Sequence, residues 1–247
     1  MRVALLVTCL VDTFLPRVGE ACVRVLRHFG CDVEFPEGQT CCGQPAFNSG
    51  AHDDARAVAR HMIRVFEPCQ AVVTPSASCA TMVRRHFPEL FEHEPQSRDA
   101  ARELASRTFE FCEFLRTRLN VRIEDHLRFD QPVTFHYPCH ARDIYSPADL
   151  AALMLAAAGP QLRSPEQGDL CCGFGGMFAV DYPGVSGGLL EDKLAQLSAT
   201  GAATVVCNEG GCALQIAGGA HRRGVPLRCK HVAEHLAESL GLMDAAP

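Results

Sequence analysis

The chain has no surplus of positive charge and no long apolar run. Its 23 Lys and Arg stand against 29 Asp and Glu, a formal net charge of −6. That balance lacks the basic footprint by which nucleic acid or an anionic membrane is held. The apolar start Val3-Ala4-Leu5-Leu6-Val7 is too short to span a bilayer and has no small-residue cleavage site. It reads as a buried strand, no later run reaches membrane length, and the expected location is the cytoplasm. Nucleotide signatures are missing too. No phosphate-binding loop with Lys before Ser or Thr occurs, and Gly173-Phe174-Gly175-Gly176 has the wrong spacing for a dinucleotide fingerprint. Nothing marks a hydride acceptor or a general base.

Cysteine is what the chain has in excess: 14 in 247 residues. Without a secretory leader, so many thiols point to metal ligation or redox chemistry rather than to a disulfide framework. They are also ordered. Cys9 precedes Cys41-Cys42-Gly43 by the same interval that separates Cys139 from Cys171-Cys172-Gly173, and each position differs from its counterpart by 130. Val72-Val73 leads to Cys79 as Val205-Val206 leads to Cys212, now at an offset of 133. A duplication with a three-residue insertion accounts for both offsets.

The coarse pattern is strand, helix, strand, helix. Val3–Val7, Asp32–Phe35 and Ala71–Thr74 read as strands, with helices over Arg17–Phe29 and Asp53–Phe66. Gly30 closes the first of these helices. In the second half, Val133–His136 and Thr204–Val206 are strands, and Ala148–Ala158 and Leu189–Leu197 are helices. An apolar stripe from Ala101 to Leu119 predicts one helix ending the first half, and Lys230–Leu240 predicts its counterpart. The expected fold is therefore α/β: two duplicated half-domains, residues 1–130 and 131–247, each a small, mostly parallel sheet flanked by helices. Ligands of such sheets sit beyond the carboxyl ends of the strands, where Cys9, Cys79, Cys139 and Cys212 are expected.

Thiolates from separate loops are the soft donors that iron–sulfur clusters use. Adjacent cysteines reach two irons more readily than one, and Gly43 and Gly173 permit positive φ beside them. Other thiols have blander roles. Cys22 and Cys112 lie in apolar stripes and read as core residues, as do Cys31, Cys69 and Cys229 outside the repeat. His136 and His140 read as hydrogen-bonded scaffold groups near a strand end. His231 and His235 read as a solvated helix face.

These residues resemble the cysteine-rich CCG domain found in the B component of heterodisulfide reductase, in the C component of anaerobic glycerol-3-phosphate dehydrogenase and in glycolate oxidase iron–sulfur subunits. Over nearly its whole length the chain resembles the lactate utilisation A family. The likeness rests on Val7-Thr8-Cys9-Leu10-Val11-Asp12, Phe35-Pro36-Glu37-Gly38-Gln39, Cys41-Cys42-Gly43-Gln44-Pro45-Ala46, Asn48-Ser49-Gly50, Pro75-Ser76-Ala77-Ser78-Cys79 and Cys171-Cys172-Gly173-Phe174-Gly175-Gly176. It implies an iron–sulfur subunit, of the 4Fe-4S kind with one or two clusters, acting with B- and C-type partner proteins to oxidise L-lactate to pyruvate. Neither flavin nor nicotinamide is expected on it. The implied ligands are Cys9, Cys41, Cys42, Cys79, Cys139, Cys171, Cys172 and Cys212. Complete motifs end each half in Cys-x-x-Cys, but Ser76 and Glu209 stand at the first of those positions here. Cys207 is a candidate substitute or a bystander. Two other classes stay open: a structural zinc module built on four thiolates, and a thiol–disulfide oxidoreductase using the vicinal pairs.

Overall fold

The computed structural model describes residues 1–245; residues 246 and 247, counted with the second half above, lie outside the described residues. The chain forms two compact units, Met1–Asn120 and Val121–Pro247.

The first unit runs β1 (Arg2–Leu5), α1 (Cys9–Phe14), α2 (Pro16–His28), β2 (Asp32–Glu34), α3 (Gln44–Asn48), α4 (His52–Phe66), β3 (Val72–Thr74), α5 (Ala77–Thr81), α6 (Phe87–Leu90), α7 (Pro95–Ser106), β4 (Thr108–Glu110) and α8 (Phe111–Thr117). Its strands lie in the order β2-β1-β3-β4, all parallel. Val3, Ala4 and Leu5 are all buried, because helices cover both faces of a parallel sheet and leave no solvent side for alternation. In α2, Pro16 sits in the first turn, where its missing N–H costs nothing. Val18, Ala21, Cys22, Val25 and Leu26 turn inward, so Cys22 is a core residue as its spacing predicts. From α4, Ala55, Ala59, Met62 and Phe66 pack beside Cys42 and Cys79.

The single helix expected from Ala101 to Leu119 is two helices with a strand between. The Thr108 hydroxyl donates to the Leu104 carbonyl at 2.8 Å and closes α7. Buried Glu110 then starts α8 with a capping box: its carboxylate accepts the Glu113 N–H at 3.0 Å, and the Glu113 carboxylate accepts the Glu110 N–H at 3.1 Å. The intervening residues pair with β3.

The second unit runs β5 (Val133–Phe135), α9 (Pro147–Ala158), α10 (Phe178–Asp181), α11 (Pro183–Ala199), β6 (Thr204–Cys207), α12 (Gly210–Arg223), β7 (Arg228–His231) and α13 (Val232–Ser239). Its order is β5-β6-β7, again parallel. A lone parallel bridge, Val133↔Leu162, lies outside the named strands. Leu162 is 130 residues after Asp32 of β2, so the counterpart of β2 has shrunk to one bridge.

The expected terminal helix likewise begins with a strand, β7. His231 is not on a solvated face: it is buried, and its Nδ1 accepts the Ala233 N–H at 3.2 Å as the cap of α13. The His235 Nε2 lies 2.8 Å from the Arg128 carbonyl oxygen, and its ring stacks on Phe129. Those contacts fold residues 121–130 with the second unit. The two units are thus small parallel sheets flanked by helices, built on one plan. Among the described residues, no helix is long and apolar enough to cross a membrane.

Candidate metal centres

In the first unit three segments, each following a strand, deliver four thiols. Cys9 opens α1 just after β1, Cys41 and Cys42 lie in the loop between β2 and α3, and Cys79 sits in α5 after β3 rather than in a turn. The Cys9 and Cys41 sulfurs are 3.5 Å apart, and the Cys42 and Cys79 sulfurs 3.3 Å. Cys42 and Cys79 are buried, Cys41 is half-buried and Cys9 is exposed. The row therefore runs from the core to the surface. Thr8, which precedes Cys9, has φ 73 and ψ 147, a region where a side chain is strained. Its hydroxyl accepts the Val11 N–H at 3.4 Å and fixes the turn that presents Cys9.

The second unit repeats the arrangement. Cys172 and Cys212 are buried with sulfurs 3.1 Å apart, while Cys139 and Cys171 are exposed. The Gly173 N–H donates to the Cys171 sulfur at 3.3 Å. Thiol donors from Cys42 and Cys9 hold the Cys41 thiol far below its ordinary value, and the same contacts push Cys42 and Cys9 up. Cys171 is lowered in the same way by Cys139 and Cys172, which are raised in turn. Adjacent thiolates repel one another, so charge on one sulfur of a row favours a proton on the next. Such a row suits a metal centre, whose binding releases those protons and replaces them with positive charge.

Glycine follows each vicinal pair for a steric reason. Gly43 and Gly173 have φ +82 and +81. A Cβ on Gly43 would lie 3.2 Å from Val58 Cγ1, whereas one on Gly173 would lie 2.5 Å from the Ser186 carbonyl oxygen. The Ser186 hydroxyl also donates to the Gly173 carbonyl at 2.7 Å, locking α11 to the cysteine loop.

Cys207 is not among the sulfurs in contact within the row. Its sulfur is 3.5 Å from the Glu209 carbonyl oxygen and 3.9 Å from the Cys229 sulfur. The two residues that stand where complete motifs carry a further cysteine are helix caps. Ser76 Oγ accepts the Cys79 N–H at 3.1 Å, and Glu209 Oε1 accepts the Gly211 N–H at 3.4 Å.

Sequence reasoning missed two residues of the second site. His136 is no hydrogen-bonded scaffold group: it is 3% exposed, and neither ring nitrogen has a hydrogen-bond partner. Burial, and then the charge of Lys193, pushes its pKa down to about 3. Lys193 is fully buried, and its Nζ donates to the Gly168 carbonyl at 3.0 Å. Burial lowers its pKa, while nearby Cys172, Cys212, Asp169 and Cys171 pull the other way. A positively charged residue on an otherwise apolar helix face was the available signal for Lys193. His136 gave none beyond its nearness to Cys139.

A duplicated parallel sheet with a row of cysteines at the carboxyl end of each copy defines a cysteine-rich domain protein. The CCG cysteine-rich domain matches residues 3–84 and 133–217, and the chain belongs to that family, with two copies of the domain. It is 40% identical over 240 residues to lactate utilization protein A of Halalkalibacterium halodurans, covering 96% of each chain. It is also 40% identical over 238 residues to the protein of the same name from Shouchella clausii, covering 96% of this chain and 98% of that one. Lactate utilization protein A 2 of Bacillus cereus is 36% identical over 241 residues, covering 97% and 99%.

Proposed function

We propose that this chain is the iron–sulfur electron-transfer subunit of a cytoplasmic assembly that oxidises L-lactate, or a similar 2-hydroxy acid, to pyruvate. The observation that carries the proposal is the convergence, once in each unit, of thiols from three separate segments at the carboxyl end of a parallel sheet. Cys9, Cys41, Cys42 and Cys79 would hold one cluster, and Cys139, Cys171, Cys172 and Cys212 a second. An iron–sulfur cluster of the 4Fe-4S kind, when bound, supplies one-electron storage and relay. The residues supply the rest. The buried members of each row, Cys42 with Cys79 and Cys172 with Cys212, anchor the site to the core and keep water from its inner side. The exposed members, Cys9 in one row and Cys139 and Cys171 in the other, bring its outer side to the surface, where a partner protein can exchange electrons. In this reading, removal of hydrogen from the 2-hydroxy acid belongs to partners of the B and C type. The near full-length likeness to proteins named for lactate utilization supports the substrate class.

Purification under strict exclusion of oxygen, with iron and acid-labile sulfide analysis and electron paramagnetic resonance, tests the proposal. The expected result is iron and sulfide in comparable amounts, with a reducible cluster signal. Zinc in their place would establish a structural module instead. Metal-free protein with reversible Cys41–Cys42 or Cys171–Cys172 disulfides would establish a thiol–disulfide enzyme.

A further inference from the structure

Leu6 and His136 occupy one place in the two units. Each is the first residue beyond its strand, β1 or β5, and each N–H donates to a valine carbonyl one strand over. Leu6 bonds Val73 at 2.9 Å, and His136 bonds Val206 at 3.0 Å. These backbone bonds fix where the side chain points. In the first unit the aliphatic side chain of Leu6 belongs to the same buried cluster as Cys42 and Cys79. In the second unit an imidazole takes that position against Cys172 and Cys212. A ring nitrogen of His136 and the sulfurs of Cys172 and Cys212 all lie within 4.8 Å of one another, and all three residues are buried. A shared ion, with bonds of about 2.0 Å to nitrogen and about 2.3 Å to sulfur, spans that spacing after small side-chain rotations.

A second exchange accompanies the first. Ala55 and Ser186 both point a carbonyl at the glycine of their cysteine loop, which aligns α4 with α11 and places Lys193 where Met62 stands. Met62 Sδ accepts the Thr40 N–H at 3.4 Å. Lys193 donates to Gly168 and leaves the imidazole unbonded. A buried imidazole with both nitrogens unpartnered is costly unless something outside the polypeptide binds it.

We propose that His136 is a nitrogen ligand of the metal centre in the second unit, which is therefore a mixed imidazole–thiolate site beside an all-thiolate site in the first; the assignment rests on the iron–sulfur reading above. A 4Fe-4S cluster needs four donors, and an imidazole that takes the place of one thiolate raises its potential relative to one held by thiolates alone. The second centre is thus the more easily reduced of the pair.

The test uses the full chain, purified anaerobically after growth on ring-¹⁵N histidine, both as wild type and with Cys41→Ser and Cys42→Ser to empty the first site. Pulsed electron paramagnetic resonance of the reduced protein should show a strongly coupled, directly bound nitrogen in both forms. His136→Leu, which installs the first unit's residue, should abolish that coupling and lower the midpoint potential of the second centre. Should His136→Leu fail to fold by circular dichroism, His136→Gln takes its place, and loss of the coupling there but not in His140→Gln, whose ring nitrogen lies 3.6 Å from the Cys139 sulfur, makes the assignment. Iron in the second unit without a bound nitrogen overturns the assignment. Iron in the first unit only also overturns it and leaves the electron-transfer proposal standing, whereas iron in neither unit ends both.

Discussion

The hydroxyl of Ser76 accepts the backbone N–H of Cys79 at 3.1 Å, so the residue three places before the last thiol of the first row is a helix cap. Ser76→Ala should cost about 1 kcal/mol of stability, the usual worth of such a cap. Urea unfolding of the metal-free protein measures it. The same variant should keep its iron, because Cys79 stays in place.

Each row should depend on its own buried thiol. Cys42→Ser is expected to remove the iron of the first unit and Cys172→Ser that of the second, leaving the other unit loaded in each case. Cys207→Ala should lose none, since its sulfur faces Glu209 and Cys229. Cys22→Ala should also keep full iron while losing about 1 kcal/mol through its small core void. Iron and sulfide counts per chain separate these outcomes.

The two glycines should respond unequally to alanine. In Gly43→Ala the new methyl meets the Val58 side chain at 3.2 Å and comes no nearer than 3.8 Å to the Ala55 carbonyl oxygen, and the main cost is the left-handed backbone, about 1–2 kcal/mol. In Gly173→Ala it meets the Ser186 carbonyl at 2.5 Å, which must move with α11. The loss of stability should be clearly larger there, with iron lost from the second unit. Denaturation midpoints of the two variants side by side check the ranking.

Lys193 adds a buried cation beside the second row. Lys193→Met, which copies Met62, removes positive charge that favours an added electron. The midpoint potential of the second centre should fall by on the order of 60 mV, one tenfold step for a one-electron couple. A redox titration followed by electron paramagnetic resonance reads the shift. An unchanged potential would show the charge to be screened or absent.

Much of this was legible in the sequence because the repeat is a matter of counting. The offsets of 130 and 133 paired the two rows, and the spacing of Val18, Ala21, Cys22, Val25 and Leu26 gave α2 its inward face. β4 and β7 escaped because each runs without a break into a helix, at Phe111 and at Val232, and was absorbed into that helix's span. Thr108 and Phe111 also fall at helical intervals from their neighbours, so the break between α7 and α8 left no mark in the periodicity. It is set by Glu110 and Glu113 capping one another. His136 was invisible as a site residue for another reason. Its direction follows from the bond between its N–H and Val206, and strand pairing is not written in local spacing.

The lone bridge at Leu162 has a dynamic consequence. Three register pairs join β2 to β1, whereas a single bridge ties the corresponding edge to β5. Backbone amides around Leu162 and Arg163 should therefore exchange with deuterium sooner than those of Asp32–Glu34, since fewer bonds must break for that margin to open. The Cys171–Cys172 loop hangs from this looser margin. Local breathing should thus reach the thiols of the second row before those of the first.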